Sequence, residues 1–274
     1  MGEAVKRYKV IFPSEHGSWS MTLVPFLIGV GTGAVATVGP FAALGAGLCL
    51  LAVLAIFLAR QPVSLWLRIW RGRGRRSDLS TARFWTLALL AMAALAGAGL
   101  LALGRWPVLW LAAPAAGVLG LTLALTIWRG PRQLSTELIG VIGLALTAPA
   151  AYVSVAGRFD ATAWLVWAIT AGHNAISVLY VRLRIDDRHG RATGRQATWV
   201  VTAHTVSLLA VVGAAAAGWL PWLIALPVGL LLVRALVVAR RRPSIADVRH
   251  FGFTEMGLGL AFAAIVVAAF LLAG

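Results

Sequence analysis

The stretch HNAISVLYVRLRIDDRHGR, residues 173–191, begins as an apolar membrane segment and ends as a run of alternating charge. On a helix that turns about 100° per residue, its polar side chains fall on one stripe. This stripe consists of His173, Ser177, Tyr180, Arg184 and Asp187. A polar stripe that reaches the middle of a membrane is costly unless it faces protein or a wet cavity. The stretch therefore predicts either a hydrogen-bonded seam between helices or one wall of a ligand site.

The composition is that of a polytopic membrane protein. The chain has 274 residues, of which 60% are hydrophobic and 12% charged, and its mean hydropathy is +0.87. A soluble domain of this size has no interior large enough for so much apolar surface. The apolar runs lack the alternation of barrel strands, so we predict an all-α fold. A lone cysteine, Cys49, excludes disulfides, thiolate zinc sites and CxxC redox chemistry.

Nine apolar segments follow one another, each long enough to cross a hydrocarbon layer of ~30 Å at about 1.5 Å per residue. They are predicted at residues 18–37, 40–60, 84–103, 106–127, 137–156, 161–183, 197–217, 220–240 and 255–273. We expect one transmembrane helical domain over residues 1–274. It would carry a cytoplasmic N-terminal segment at 1–13, a basic cytoplasmic loop at 61–82 and a charged cytoplasmic loop at 184–196.

The basic residues divide unevenly between the two sides of this topology. Of the 24 Lys and Arg residues, only Arg105 and Arg158 fall on the side opposite the N-terminus. The positive-inside rule therefore predicts an integral protein of the plasma (inner) membrane, with its N-terminus in the cytoplasm and its C-terminus outside. Because topology accounts for the net charge of +15, we expect no nucleic-acid partner.

Polar side chains within or beside the spans fall in the predicted cytoplasmic half. They are Glu15, His16, Arg60, Gln61, Glu137, the stretch 173–187, His204, Arg234 and Glu255. Structural polar groups would not all choose one leaflet, so we predict a central cavity that is open to the cytoplasm. Local alternatives stay open, since Glu15 and Glu137 also fit the first turns of helices and Arg60 also fits an arginine that extends to the membrane interface.

Arginines outnumber acids across this predicted cavity, which favours an anionic ligand that carries phosphate. An apolar cavity with a cationic rim suits a membrane lipid with a phosphate or diphosphate head, such as an isoprenoid. We predict that Arg60, Arg182 and Arg184 hold the phosphate, that Glu15 and His16 orient or deprotonate an acceptor, and that Asp187 holds a metal ion or the acceptor. The other predicted contacts are His173, Asn174, Ser177, Tyr180, Trp19, Glu137, Arg234 and Glu255.

Several motifs resemble those of the YwiC-like membrane protein family. The opening motif is PSEHGSW at residues 13–19, and it is followed by Arg60-Gln61-Pro62. The likeness continues through Ser177-x-x-Tyr180-Val181-x-x-Arg184 to Gly252-x-x-Glu255, so it spans nearly the whole chain. The family brings no assigned activity to this chain.

A more distant likeness is to the UbiA superfamily of intramembrane prenyltransferases. Proteins of that superfamily have nine transmembrane helices, a cytoplasm-facing cavity and two Asp-rich motifs that hold Mg²⁺ on a prenyl diphosphate. The resemblance implies Mg²⁺ binding by Asp186 and Asp187, which follow span six. The counterpart of the first motif is missing, because residues 60–76 contain arginines and no acid, which argues against ordinary two-site Mg²⁺ binding.

The likeness favours a UbiA-like intramembrane enzyme, a prenyltransferase-like transferase that moves a prenyl group or acts on another lipid phosphate. Two alternatives stay open. One is a transporter or binding protein for an organic anion or lipid. The other is a non-catalytic UbiA-like membrane subunit whose polar residues only hold helices together.

Overall fold

The computed structural model describes residues 16–37, 39, 41–129, 133–242, 245 and 247–273, and every regular element in these residues is a helix. The α-helices are α1 (His16–Ala36), α2 (Ala42–Trp70), α3 (Leu79–Ala102), α4 (Leu109–Arg129), α5 (Leu134–Leu144), α6 (Thr147–Ala156), α7 (Ala161–Arg188), α8 (Gly194–Ala216), α9 (Ala225–Arg241) and α10 (Val248–Ala273). Short 3₁₀ turns at Arg76–Asp78, Trp106–Val108 and Trp222–Ile224 precede α3, α4 and α9.

The predicted all-α membrane architecture is confirmed. Within the described residues, nine helical segments are long and apolar enough to cross a membrane, and they coincide with the nine predicted spans. The fifth segment, Leu134–Ala156, consists of two helices, α5 and α6. The protein is therefore an integral membrane protein built as a helical bundle.

The fifth span, predicted at residues 137–156, is confirmed as a membrane-crossing segment, but its helix breaks between Leu144 and Thr147. Pro149 explains the break, since its ring lacks an N–H and clashes with the carbonyl four residues earlier in a continuous helix. The freed end is fixed by the Thr147 hydroxyl, which donates a 3.0 Å hydrogen bond to the Thr22 carbonyl of α1. Broken helices at membrane depth are tolerated where they are buried or line a cavity.

The basic loop predicted over residues 61–82 is shorter in the structure, because α2 continues through Trp70. Pro62 and Ile69 are buried, so this end of α2 packs against the bundle instead of leaving it. The helix ends where Gly72 adopts a left-handed conformation with a φ of 72°, which glycine reaches without strain. The true loop is five residues, 71–75.

The charged loop predicted at 184–196 is shorter as well. Helix α7 continues through Arg188, and the next helix begins at Gly194. Thr193 caps α8 by accepting from the Gln196 amide, while the Gln196 side chain accepts from the Thr193 amide. This reciprocal capping box fixes the start of α8, and it was missed in the sequence.

Helices α1 and α6 lie at the centre of the bundle. They pack along each other, and α1 also packs on α10 and α7. A side chain at Gly29 would collide with the Ala148 carbonyl, and one at Gly33 would lie 3.0 Å from the Tyr152 carbonyl. The absence of side chains at Gly29 and Gly33 therefore lets α1 and α6 approach closely.

Helices α3 and α4 hold a peripheral position. Helix α3 packs along α2, and α4 packs on α5 and on the Trp106–Val108 turn. Within the described helices, α3 and α4 do not pack along each other. Their separation leaves a cleft in the side of the bundle.

Candidate functional site

A cavity of about 1280 Å³ lies at the end of the bundle where α2, α4 and α7 finish and where α5 begins. Its wall is formed by the start of α1, the C-terminal halves of α2 and α7, the end of α4 and the whole of α5. Exposed residues of the α2 and α7 ends, including Arg71, Arg73, His189 and Arg191, mark its rim. We call this space the basic cavity.

The basic cavity is strongly cationic. Among the described residues that line it, six are arginines and two are acids, Glu137 and Asp186. The arginines are Arg60, Arg68, Arg71, Arg73, Arg182 and Arg191. Guanidinium groups bind phosphate oxygens in a bidentate manner and stay charged when they are partly desolvated. The wall therefore favours an anion.

The N-terminus of α5 adds two further features that favour an anion. Its first residues, Leu134 to Thr136, present backbone N–H groups, and Gln133 at the N-cap makes no side-chain hydrogen bond to them. Such a helix end carries a partial positive charge. Thr136 lines the basic cavity and is only 3% exposed, and its hydroxyl has no hydrogen-bond partner among the described residues. A buried polar group without a partner is costly, and a bound anion would satisfy this one.

Both acids of this wall lie beside arginines. Glu137 is 3.6 Å from the Arg182 guanidinium, and Asp186 is 3.5 Å from that of Arg191. Asp186 also accepts a 2.9 Å hydrogen bond from the side chain of Gln196. These pairs hold two of the arginines at the edge of the basic cavity and leave the wall with a net positive charge.

An apolar cleft of about 300 Å³ adjoins the basic cavity and runs between α3 and α4. The two spaces share Arg60, Thr122, Gly140 and Leu144 in their walls. The cleft is lined mainly by Ala, Val, Leu, Ile and Phe side chains of α2, α3, α4, α5 and α6. We call it the lateral cleft. An ionic chamber and an apolar chamber therefore join at one point.

Aromatic side chains form the junction between the two spaces. The Arg60 guanidinium lies 5.5 Å from the centre of the Phe57 ring, and Phe57 contacts Trp19 edge to face with their ring centres 5.0 Å apart. Arg60 and Trp19, two of the predicted site residues, are therefore brought together through Phe57, which sequence reasoning missed because one aromatic residue in an apolar span carries no distinguishing signal.

Several predicted site residues lie in a second group, which packs between α7, α8, α9 and α10 and does not line the basic cavity. Arg184 lies 3.7 Å from Asp187 and 5.9 Å from the centre of the Phe251 ring. Arg234 forms two hydrogen bonds with Glu255. We call these four charged residues, together with Tyr180, the ionic seam.

We predicted that all of these residues share one cavity. The structure instead places some of them in the basic cavity and others in the ionic seam. Tyr180, Arg184 and Asp187 of the predicted stripe lie in the ionic seam, and His173 and Ser177 of the same stripe line neither the basic cavity nor the lateral cleft. The basic cavity is lined instead by the stripe Val178, Arg182, Ile185, Asp186 and His189. Residues 180 and 182 differ by about 200° around a helix, so they face opposite neighbours.

The remaining predicted residues have structural partners or lie outside the described part. Asn174 donates to the carbonyl oxygens of Met21 at 3.2 Å and Val141 at 3.3 Å, and so joins α7 to α1 and α5. The His173 ring stacks on Phe262, with ring centres 4.0 Å apart. Glu15 lies outside the described residues, and the side chain of His16 does too.

The acids do not fit the Mg²⁺ site that the UbiA likeness implies. Mg²⁺ requires several oxygen ligands in near-octahedral geometry. Asp186 is held by Arg191 and Gln196, whereas Asp187 turns to Arg184 in the ionic seam. In the described part of the chain, no group of three or more His, Cys, Asp or Glu residues is placed to hold a metal ion. We therefore derive no step through a resident metal.

Sequence reasoning missed much of the cationic wall. Arg68, Arg71, Arg73 and Arg191 fall in the loops predicted at residues 61–82 and 184–196, and Thr136 carries no signal beyond a helix start. The sequence shows that these arginines are basic, but it does not show that they line one cavity.

A sequence model of the family described as YwiC-like protein matches residues 12–152, which cover α1 to α5 and the first part of α6, and thus most of the walls of both spaces. No curated protein and no solved structure matches the chain.

Proposed function

The chain belongs to the YwiC-like family, and we propose that it is an intramembrane enzyme that acts on a lipid phosphate. The substrate we favour is a prenyl diphosphate, and the reaction is transfer of the prenyl group in the manner of UbiA enzymes. The observation that carries this proposal is the junction of an arginine-lined cavity with an apolar cleft at Arg60.

The phosphate head is assigned to the basic cavity. Arg60 and Arg182 stand on different helices and reach the same space as Thr136 and the first turn of α5. Together they offer guanidinium forks, a hydroxyl and backbone N–H groups, all of which bind phosphate oxygens. This donor set supports recognition of a phosphate or diphosphate by the chain's own cations.

The reaction we propose relies on the same groups. The bond between the prenyl C1 and the diphosphate oxygen breaks, and the diphosphate leaves with the bonding electrons. The acceptor atom forms a bond to C1 and loses its proton to water at the rim. The arginines stabilise the negative charge that develops on the leaving oxygen. Glu15 and His16 directly precede Gly17 and Ser18 of the cavity wall, so we assign them to orienting the acceptor.

The arginine-rich end of the bundle is assigned to the cytoplasm. The loop 71–75, the α7 end and the α9 end all carry arginines, whereas Arg105 and Arg158 lie at the opposite ends of their helices. By the positive-inside rule, we propose that the N-terminus lies in the cytoplasm and the C-terminus outside, in the plasma membrane. The basic cavity would open to cytoplasmic solvent, where a free diphosphate product can leave.

Purified protein in lipid nanodiscs tests this function directly. It should convert labelled geranylgeranyl or farnesyl diphosphate, with a panel of quinone and aromatic acceptors, to a prenylated product and free diphosphate. The Arg60→Ala variant should lose most of this turnover, while Arg188→Ala, at an exposed arginine near the end of the same bundle, should retain it. Absence of both turnover and diphosphate binding in the unmodified protein would refute the proposal.

A second function, transport or binding of a lipid-like anion, is favoured by one observation. The basic cavity opens at the end of the bundle and the lateral cleft opens along its side, so a single ligand would contact both solvent and lipid. In proteoliposomes a transporter would move labelled anion without forming product, and Arg60→Ala would abolish that flux. Binding without product or flux would indicate a binding protein. Absence of binding, product and flux together would favour a structural subunit.

A further inference from the structure

We infer that the substrate's hydrocarbon tail enters sideways from the bilayer between α3 and α4 and lies in the lateral cleft. This inference rests on the proposed function, in which the basic cavity holds the phosphate head. The proposed chemistry does not itself require that α3 and α4 be separated. We assign the gap between them as the path by which a lipid reaches the basic cavity without leaving the membrane.

The dimensions of the lateral cleft suit one chain. On α2 its lining runs from Cys49 to Arg60, a rise of roughly 16 Å at 1.5 Å per residue. That is about half of the ~30 Å hydrocarbon layer, or the depth of one leaflet. A tail whose head lies beside Arg60 would therefore extend along the cleft towards Leu100 and Val108.

The side chains along the two edges of the gap between α3 and α4 are too short to fill it. On the α3 side they include Ala93 and Gly97, and on the α4 side Ala112 and Ala115. A Cβ atom added at Gly97 would lie in open space, with no heavy atom of a neighbouring residue within 4 Å. Short side chains on both edges leave room for a hydrocarbon chain between the helices.

The polar groups of the cleft wall are already satisfied. Thr22 donates to the Ser18 carbonyl, Thr122 to the Val118 carbonyl and Thr147 to the Thr22 carbonyl. The hydroxyls of these three threonines therefore have partners within the protein, and Arg60 at the junction is the charged residue of the described lining. Such a wall favours hydrocarbon over a polar ligand or water.

The connection between the lateral cleft and the basic cavity determines which kind of ligand can occupy the cleft. Because the lateral cleft leads directly to Arg60 and Thr122 of the basic cavity, its occupant must present an anion at one end and hydrocarbon along its length. The occupant is therefore a single-chain lipid phosphate, with a prenyl or acyl tail.

Matched substitutions test the inference. Gly97→Phe places a ring in the lateral cleft, whereas Gly117→Phe places the same ring on a lipid-facing part of α4 that does not line it. In nanodiscs we would measure the affinity of each variant for geranylgeranyl diphosphate and for inorganic diphosphate. Gly97→Phe should weaken geranylgeranyl diphosphate binding about tenfold or more, since two methylene groups denied burial suffice for that change.

The same variant should bind inorganic diphosphate as the unmodified protein does, and Gly117→Phe should leave both affinities unchanged. Equal binding of geranylgeranyl diphosphate by Gly97→Phe and Gly117→Phe would overturn the inference and leave the proposed function in place. Failure of the unmodified protein to bind either compound would instead refute the proposed function, and the inference with it.

A second measurement needs no substitution, so it does not depend on whether Gly97→Phe folds. A geranylgeranyl diphosphate analogue with a photoreactive group at the tail end should label α2, α3 or α4 peptides that line the lateral cleft, and inorganic diphosphate in excess should prevent that labelling. Labelling confined to α8, α9 or α10 would overturn the inference.

Discussion

The guanidinium group of Arg234 donates two hydrogen bonds to the carboxylate of Glu255, at 2.8 and 3.0 Å, and thereby joins α9 to α10. Its central carbon lies 3.9 Å from the centre of the Tyr180 ring of α7, so one side chain links three helices. The geometry is that of a bidentate pair reinforced by a cation–π contact. We therefore regard the ionic seam as a structural feature, distinct from the basic cavity.

Arg234→Leu should destabilise the protein, because it leaves the mostly buried Glu255 without its partner. The loss for breaking a buried pair is typically about 3 kcal/mol, and we expect a clear fall in the melting temperature in detergent. Adding Glu255→Leu should restore much of it, because the uncompensated charge is then removed. If the single variant melts like the unmodified protein, the seam has no structural role.

Arg60→Ala should weaken the binding of inorganic diphosphate by about tenfold or more, since one charge-assisted hydrogen bond contributes roughly 1.5–3 kcal/mol. Arg188→Ala removes the same charge at an exposed position that does not line the basic cavity, and it should have little effect. Isothermal titration calorimetry at two salt concentrations distinguishes the loss of a local contact from a change in the overall electrostatic field of the protein, because salt screens the overall field more strongly. Equal losses in the two variants would mean that only net charge matters.

Thr136→Val should separate binding from stability. The change keeps the shape of a buried side chain whose hydroxyl has no hydrogen-bond partner among the described residues. Removing an unsatisfied polar group costs nothing when no ligand is present, so the melting temperature should stay the same or rise. Diphosphate affinity should fall several-fold. A lower melting temperature together with unchanged affinity would show that the hydroxyl serves the fold instead.

Chelation should leave diphosphate binding almost unchanged. The acids near the basic cavity are held by arginines and by Gln196, so the donor set suits direct recognition by cations of the protein. We expect the affinities measured in EDTA and in Mg²⁺ to agree within about twofold, which is less than the ~1.4 kcal/mol of a tenfold change. A large loss in EDTA, restored by Mg²⁺, would contradict this prediction.

Gly29→Val should prevent α1 from packing on α6, because any side chain there collides with the Ala148 carbonyl. We expect loss of the monodisperse peak in size-exclusion chromatography. Gly47→Val is the matched control, since it adds the same side chain to a helix at a site with no neighbouring atom within 4 Å. A normal profile for Gly29→Val would show that the two helices can separate at little cost.

The break between α5 and α6 illustrates what the sequence signals and what it leaves undecided. Pro149 and the two glycines before it were visible, but proline is tolerated inside other spans of this chain, at Pro25, Pro62 and Pro114. Whether a proline kinks or breaks a helix depends on what receives the freed backbone groups. Here the Ala145 carbonyl, which Pro149 cannot bond, accepts from the Ala148 amide, and the Thr147 hydroxyl donates to the Thr22 carbonyl of α1, a contact that no local pattern reveals.

The sequence by itself determined the nine membrane-crossing segments, the all-helical fold and the concentration of arginine at one end, because the length, hydropathy and charge of each segment act locally. The tertiary structure alone decided which arginines share a space. Arg182 and Arg184 are two residues apart and therefore about 200° apart on α7, so one lines the basic cavity and the other pairs with Asp187. Helical spacing gives the angle between two side chains, but only the packing of neighbouring helices determines what lies at each angle.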